Sequence, residues 1–168
     1  MSAPATEQSD ILAGYAAGPD RLEAAIAGLS AADLDLALSS DTWSIRQIVH
    51  HIADGDDLWK EFVKRAIGNP EGEFILAWYW QIGQAEWARR WAYRERAIEP
   101  SLALFRASRA HIVQLLAHRP EAWSHSLLIR WPDGEEAPTS VEWVVAMQAR
   151  HVMGHLDDIR RIREAHGK

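Results

Sequence analysis

Trp43-Ser44-Ile45-Arg46-Gln47-Ile48-Val49-His50-His51-Ile52-Ala53-Asp54 is the stretch from which the fold can be read. Ser44 followed three residues later by Gln47 has the form of a capping box, in which each side chain satisfies a backbone N–H of the other. Behind it Ile45, Ile48, Val49, Ile52, Trp59, Phe62, Val63 and Ala66 recur at helical spacing. The next breaker is Gly68-Asn69-Pro70. The spacing therefore predicts a long helix from Ser44 to about Gly68.

Three further helices lie on either side of it. An N-terminal one runs from about Glu7 to Leu29 and is kinked or split at Gly18-Pro19, because proline lacks an N–H and clashes with the preceding turn. A short turn around Ala31–Leu38 follows. A third helix spans about Pro100 to Ala117, before Pro120. A fourth starts at Thr139-Ser140-Val141-Glu142, read as a second capping box, and ends near Ala165 with Gly167 just beyond. The connection 69–97 holds Trp78, Trp80, Trp87 and Trp91, with a short helix expected near Gln84–Arg94. If that segment is helical throughout, Trp80, Trp87 and Trp91 share one face, as a pocket lining or as ordinary packing. Leu127-Leu128-Ile129-Arg130-Trp131-Pro132-Asp133-Gly134 reads as an extended run and a turn, hence a small hairpin. Four long amphipathic helices make an all-α four-helix bundle. The long crossover lets the second and third helices run parallel. We expect one domain over 1–168.

Composition narrows the function. The chain has 168 residues, 48% of them hydrophobic and 25% charged, with a formal charge of −6. An acidic balance excludes a phosphate-neutralising nucleic-acid surface. There is no cysteine, so disulfides, thiolate metal sites and a cysteine nucleophile are excluded. No secretory signal or 20-residue apolar run is present, so no membrane partner and a cytoplasmic location are expected. Nine tryptophans and eight histidines stand out.

Projected at 100° per residue with Ile45 at 0°, the apolar face of the second helix spans roughly 300° to 40°. His51 falls at its shoulder, near 240°, whereas His50 falls near 140° on the side of Asp54 and Asp57. On the fourth helix His151 and His155 both lie on the apolar face, one turn apart. Two inward imidazoles at i, i+4, with a third from another helix, can grip one metal ion and leave positions open for water or substrate. His151-Val152-Met153-Gly154-His155 is not the zinc-protease motif H-E-x-x-H, since Val152 stands where its general base would be. Asp54 and Asp158 each lie three residues beyond a proposed ligand; the wheel puts Asp54 on the solvated side. Gln148, one turn before His151, would orient a ligand water or fill a core gap. His111, His118, His125 and His166 are expected on the surface or in loops. Arg160-Arg161-Ile162-Arg163 is read as a helix end complementing its dipole.

The segment 43–54 resembles the second-helix signature of the DinB/YfiT-like metalloenzymes, and His151-Val152-Met153-Gly154-His155-Leu156-Asp157-Asp158-Ile159 is similar to their C-terminal H-x-x-x-H helix. The likeness runs from about Gly14 to Arg163. It implies an up-down-down-up bundle and a divalent metal, zinc or nickel, held by His51, His151 and His155. It also implies small-molecule chemistry, either transfer of a low-molecular-weight thiol or hydrolysis, and a homodimer as a common state.

A metal with three neutral imidazoles retains its charge and can acidify a bound water or thiol. With no cysteine in the chain, any sulfur must arrive as a small thiol co-substrate. The residues leave three readings open: a thiol S-transferase, a metal-dependent hydrolase, and a non-enzymatic bundle that binds a small ligand or partner.

Overall fold

Helix formation follows the start and stop signals closely. In the computed structural model, which describes the chain from residue 5 to residue 168, α1 is Ala5–Ala16, α2 Gly18–Ile26, α3 Ile45–Gly68, α4 Ala77–Trp80, α5 Gln84–Arg90, α6 Glu99–His118 and α7 Val141–Ala165. The Ser44 capping box closes as expected: Gln47 N donates to Ser44 Oγ, and Ser44 N donates to Gln47 Oε1 at 3.0 Å. At the start of α7 the cap is shifted by one residue. Trp143 N donates to Ser140 Oγ, while Thr139 lies buried in a strand. Glu142 is therefore not the reciprocal partner in a capping box; it accepts from Gln8 on α1.

The strands are β1 (Glu73–Phe74), β2 (Ser126–Arg130) and β3 (Glu136–Ser140). β2 pairs antiparallel with β3, in the register Leu128 opposite Pro138, and β1 adds parallel to β2. The hairpin turns at Pro132-Asp133-Gly134, where Gly134 takes φ +87°, a left-handed value natural to glycine. Pro138 costs little because β3 is an edge strand. β1 has only two residues, too few for a sequence pattern to mark it. β3 runs directly into α7, so the hairpin fixes the entry angle of that helix.

Contacts between helices give their directions. His50 meets Ser101 and Asp56 meets Arg109, so α3 and α6 advance together and are parallel. His51 meets His151 while Trp59 meets Trp143, so α3 and α7 are antiparallel. Gln8 meets Glu142, Arg21 meets Met153 and Arg163 meets Ala25, so the α1–α2 pair runs parallel to α7. The order is up-down-down-up, with the 69–97 segment as the crossover.

Two apolar half-cores fill the bundle. One gathers Phe62, Val63, Ile112, Leu116, Leu127 and Val144; the other gathers Leu22, Ile45, Ile52, Phe105, Val152 and Ile159. A polar layer lies at the level between them. Pro19 has no N–H to give to the Tyr15 carbonyl four residues earlier, which is why the first helix divides there. That carbonyl accepts instead from Arg109 Nη1 at 2.6 Å. A side chain at Gly18 would overlap the guanidinium, so only glycine fits. Arg109 also donates to Asp56 through Nε and Nη2 and to the Gln148 carbonyl, each at 3.0 Å, and stacks on Tyr15 and Phe105. Arg109 and Asp56 are both 1% exposed.

One sequence expectation is corrected here. His50 is buried rather than on the wet side: it hydrogen-bonds Ser101 Oγ at 2.8 Å, because α3 is covered by α6 as well as by α7. His125 lies in a loop, and its Nδ1 donates to the Ala66 carbonyl near the end of α3. Arg163 lies in the last turn of α7, and its Nη1 also donates to the Ala25 carbonyl in the last turn of α2. Among the described residues no helix is long and apolar enough to cross a membrane.

Removing one partner of a buried ion pair strands the other charge. Arg109→Met is expected to destabilise the fold by about 3–5 kcal/mol in denaturant titration, and Arg109→Met with Asp56→Leu to recover part of that loss.

Candidate metal centre

His51 points from α3 toward α7, and His151 and His155 point back from successive turns of α7. Nε2 of His151 lies 3.1 Å from Nε2 of His51 and 3.2 Å from Nε2 of His155. All three ligand atoms lie within 4.8 Å of one another. A tetrahedral zinc with nitrogens at about 2.05 Å separates its ligands by about 3.3 Å. The two measured edges are close to that value, so the imidazoles stand as a set of ligands would.

The surroundings keep the rings in the state a metal needs. Burial, with the neighbouring imidazoles second, brings His51 down to about 3 and His151 down to about 4. Burial also lowers His155, against the opposing pull of Asp158. At neutral pH all three are uncharged, each with one N–H and one lone pair. His155 Nδ1 donates to Asp158 Oδ2 at 3.2 Å, which fixes the lone pair of that ring on Nε2. Trp43 sits edge-on to His51 at 4.5 Å between ring centroids and stacks over His155 at 6.3 Å. It restrains both rings from one side.

Among the described residues, two buried side-chain polar atoms have no hydrogen-bond partner: Nδ1 of His151 and Oε1 of Gln148, three residues apart on α7. A ring that offered Nε2 to a metal would carry its proton on Nδ1, and Gln148 is one turn away as an acceptor. Asp54 plays no such part; it pairs with Arg96 at 3.1 Å.

The structure thus brings together His51, His151 and His155, which the wheel puts at inward positions. Trp43, directly before the Ser44 cap, lies over the first turns of α3, where its ring meets His51. The tryptophans of the crossover do not share one face. The first short helix ends at Trp80 and the next begins after Gly83, so Trp80 stacks on Trp131 at 5.5 Å while Trp87 and Trp91 gather around Tyr79. Tyr79 and Trp80 line a cleft beside His51 and His151.

The family model of the DinB superfamily matches residues 15–159. The chain belongs to the DinB superfamily. Its DinB relatives include a protein of Geobacillus thermodenitrificans named "Putative metal-dependent hydrolase", 28% identical over 149 residues, or 89% of this chain and 80% of the relative. A second, from Geobacillus kaustophilus and named in the same way, is 26% identical over 163 residues, covering 97% and 88%. Among solved structures, YfiT from Bacillus subtilis, described as a probable metal-dependent hydrolase with an unusual four-helix bundle topology, aligns with a TM-score of 0.83 at 18% identity. The alignment covers 99% of this chain and 91% of YfiT. At that identity the likeness shows the four-helix-bundle fold.

The lowered basicity has a stability consequence whose direction is fixed. In the unfolded chain a histidine titrates near 6.5, so below that pH the unfolded state binds protons that folded His51 and His151 refuse. Stability of the metal-free protein is therefore fully present above about pH 6.5 and declines as pH falls toward 4. Denaturant titrations between pH 4 and 7 with chelator present should show this slope, and His51→Leu should flatten it.

Proposed function

We propose that this protein is a metal-dependent hydrolase of small molecules whose divalent ion is held by His51, His151 and His155. The observation that carries the reading is the convergence of three uncharged imidazoles on one point, with their Nε2 atoms at ligand spacing. The names of the relatives support hydrolysis over transfer to a thiol. Zinc and nickel are among the ions that imidazole ligands suit.

Three neutral ligands leave the ion its full charge and open positions, so that it supplies Lewis-acid chemistry, acidifying water and polarising a carbonyl. The chain does the rest. His51, His151 and His155 fix the point of reaction at the junction of α3 and α7. Asp158 holds the tautomer of His155. Trp43 shields His51 and His155 from one side. Gly55, whose absent side chain leaves the space next to His151 Cε1 free, keeps the approach from the cleft open.

The centre can be tested with purified, untagged protein never exposed to chelator. About one equivalent of metal per chain is expected by elemental analysis, and His51→Ala should lose most of it while its far-ultraviolet spectrum stays helical. Asp158→Asn should weaken metal binding by about 10–100-fold in competition with a chromophoric chelator. A full equivalent of tightly held metal in His51→Ala would remove the three-histidine assignment. Esters and amides should turn over without an added thiol; turnover that appears only when a small thiol is supplied would instead establish the transferase.

A further inference from the structure

A cleft of about 140 Å³ opens beside His51 and His151. Gly55 lies along it, Trp59, Tyr79 and Trp80 give it aromatic walls, and no Asp, Glu, Lys or Arg lines it. A dry apolar cavity of about this volume takes one benzene ring. A charged group brought into it would lose hydration without finding a partner among these side chains.

The polar atoms of the cleft are few. The Tyr79 hydroxyl donates to Gln84 Oε1 at 2.8 Å, which leaves the Gln84 amide N–H groups to donate. Gln148 Oε1 is buried without accessible surface, so it does not reach into the cleft. The cleft therefore presents an amide donor and no charged partner. The C=O of an uncharged amide or ester complements that donor. A free carboxylate or ammonium would enter without a counter-charge.

We propose that the substrate is an uncharged amide or ester of one-ring size, bound with its apolar body against Trp59 and Trp80 and its carbonyl oxygen accepting from the Gln84 amide. This rests on the hydrolase reading above. In the reaction, water gives its oxygen to the carbonyl carbon, the C–N or C–O bond breaks, and the leaving nitrogen or oxygen takes a proton. An acid and an amine or alcohol are the products. The acid is ionised at neutral pH, and the cleft has no charged side chain to retain it.

The test separates the cleft from the chemistry. Benzamide binding is followed by quenching of tryptophan fluorescence, since Trp59 and Trp80 both face the cleft lining. Saturable quenching is expected, and 4-carboxybenzamide should bind about tenfold more weakly. Gly55→Ala adds a methyl at ordinary van der Waals distance, 3.9 Å, from His151 Cε1. It should keep its metal and its helical spectrum yet bind benzamide about tenfold more weakly, because the added group fills the cleft. Trp80→Ala should lose benzamide affinity and gain affinity for 1-naphthamide. Equal binding of benzamide and its carboxylate, or benzamide binding untouched by both substitutions, overturns the proposal even if esters are hydrolysed elsewhere at the centre. Benzamide binding that responds as expected, in a metal-loaded protein that cleaves neither N-substituted benzamides nor esters, sustains the cleft and overturns the hydrolase.

Discussion

The guanidinium of Arg109 holds this bundle at its waist. It joins α6 to the broken first helix through the Tyr15 carbonyl, to α3 through Asp56, and to α7 through the Gln148 carbonyl. A charge so deeply buried is tolerated only when its donors are occupied. Each of its partners is therefore constrained in turn. Pro19 must withhold its N–H, residue 18 must have no side chain, and Asp56 must stay ionised beside it. The apolar half-cores on either side supply most of the burial, but they are slippery; a sliding helix would still bury leucines and valines. It could not keep Arg109 satisfied. The polar layer is what sets the register of α3 against α7, and the histidine cluster depends on that register.

That dependence explains the placement of the site. Gln148 is one turn before His151, and Asp56 is five residues beyond His51. Both ends of the clamp lie about one turn from the ligands they align. An imidazole cluster is sensitive to a shift of half an ångström, which is why the rings rest on elements locked by a buried ion pair rather than on loops. The crossover contributes differently. It carries no ligand, but it brings aromatic side chains to the mouth of the centre and so sets what can reach it.

The helices were legible because their caps, periods and breakers are local. Ser44 with Gln47, Gly68-Asn69-Pro70 and Pro132-Asp133-Gly134 each specify their structure within a few residues. The three histidines were legible for the same reason: a wheel is enough to place them on inward faces. What was not legible depends on a second helix. His50 looked solvated because a wheel with a single apolar sector hides a helix buried on two sides. Asp56 and Arg109 are charged residues on covered faces, 53 positions apart, and no spacing rule pairs them. The Trp80 stack on Trp131 joins the crossover to the hairpin and is equally invisible along the chain. The one-residue shift at Thr139 and Ser140 arose because β3 claims Thr139 for its ladder before the helix can use it.

The parallel pairing of α3 with α6 bears on how the chain finds its fold. A simple up-down bundle grows by hairpins, each helix folding back on its predecessor after a short loop. Here the second long helix must wait while about thirty residues of crossover are laid down, since parallel neighbours cannot close through a tight turn. The first and last helices also run side by side, joined from Gln8 to Glu142 across almost the whole sequence. Contacts between the helices of this small protein thus join distant parts of the chain, and folding rate falls as such separation grows. The same topology fastens the beginning of the chain to its end, so that neither terminal helix can fray without opening the wall of the bundle that carries His151 and His155.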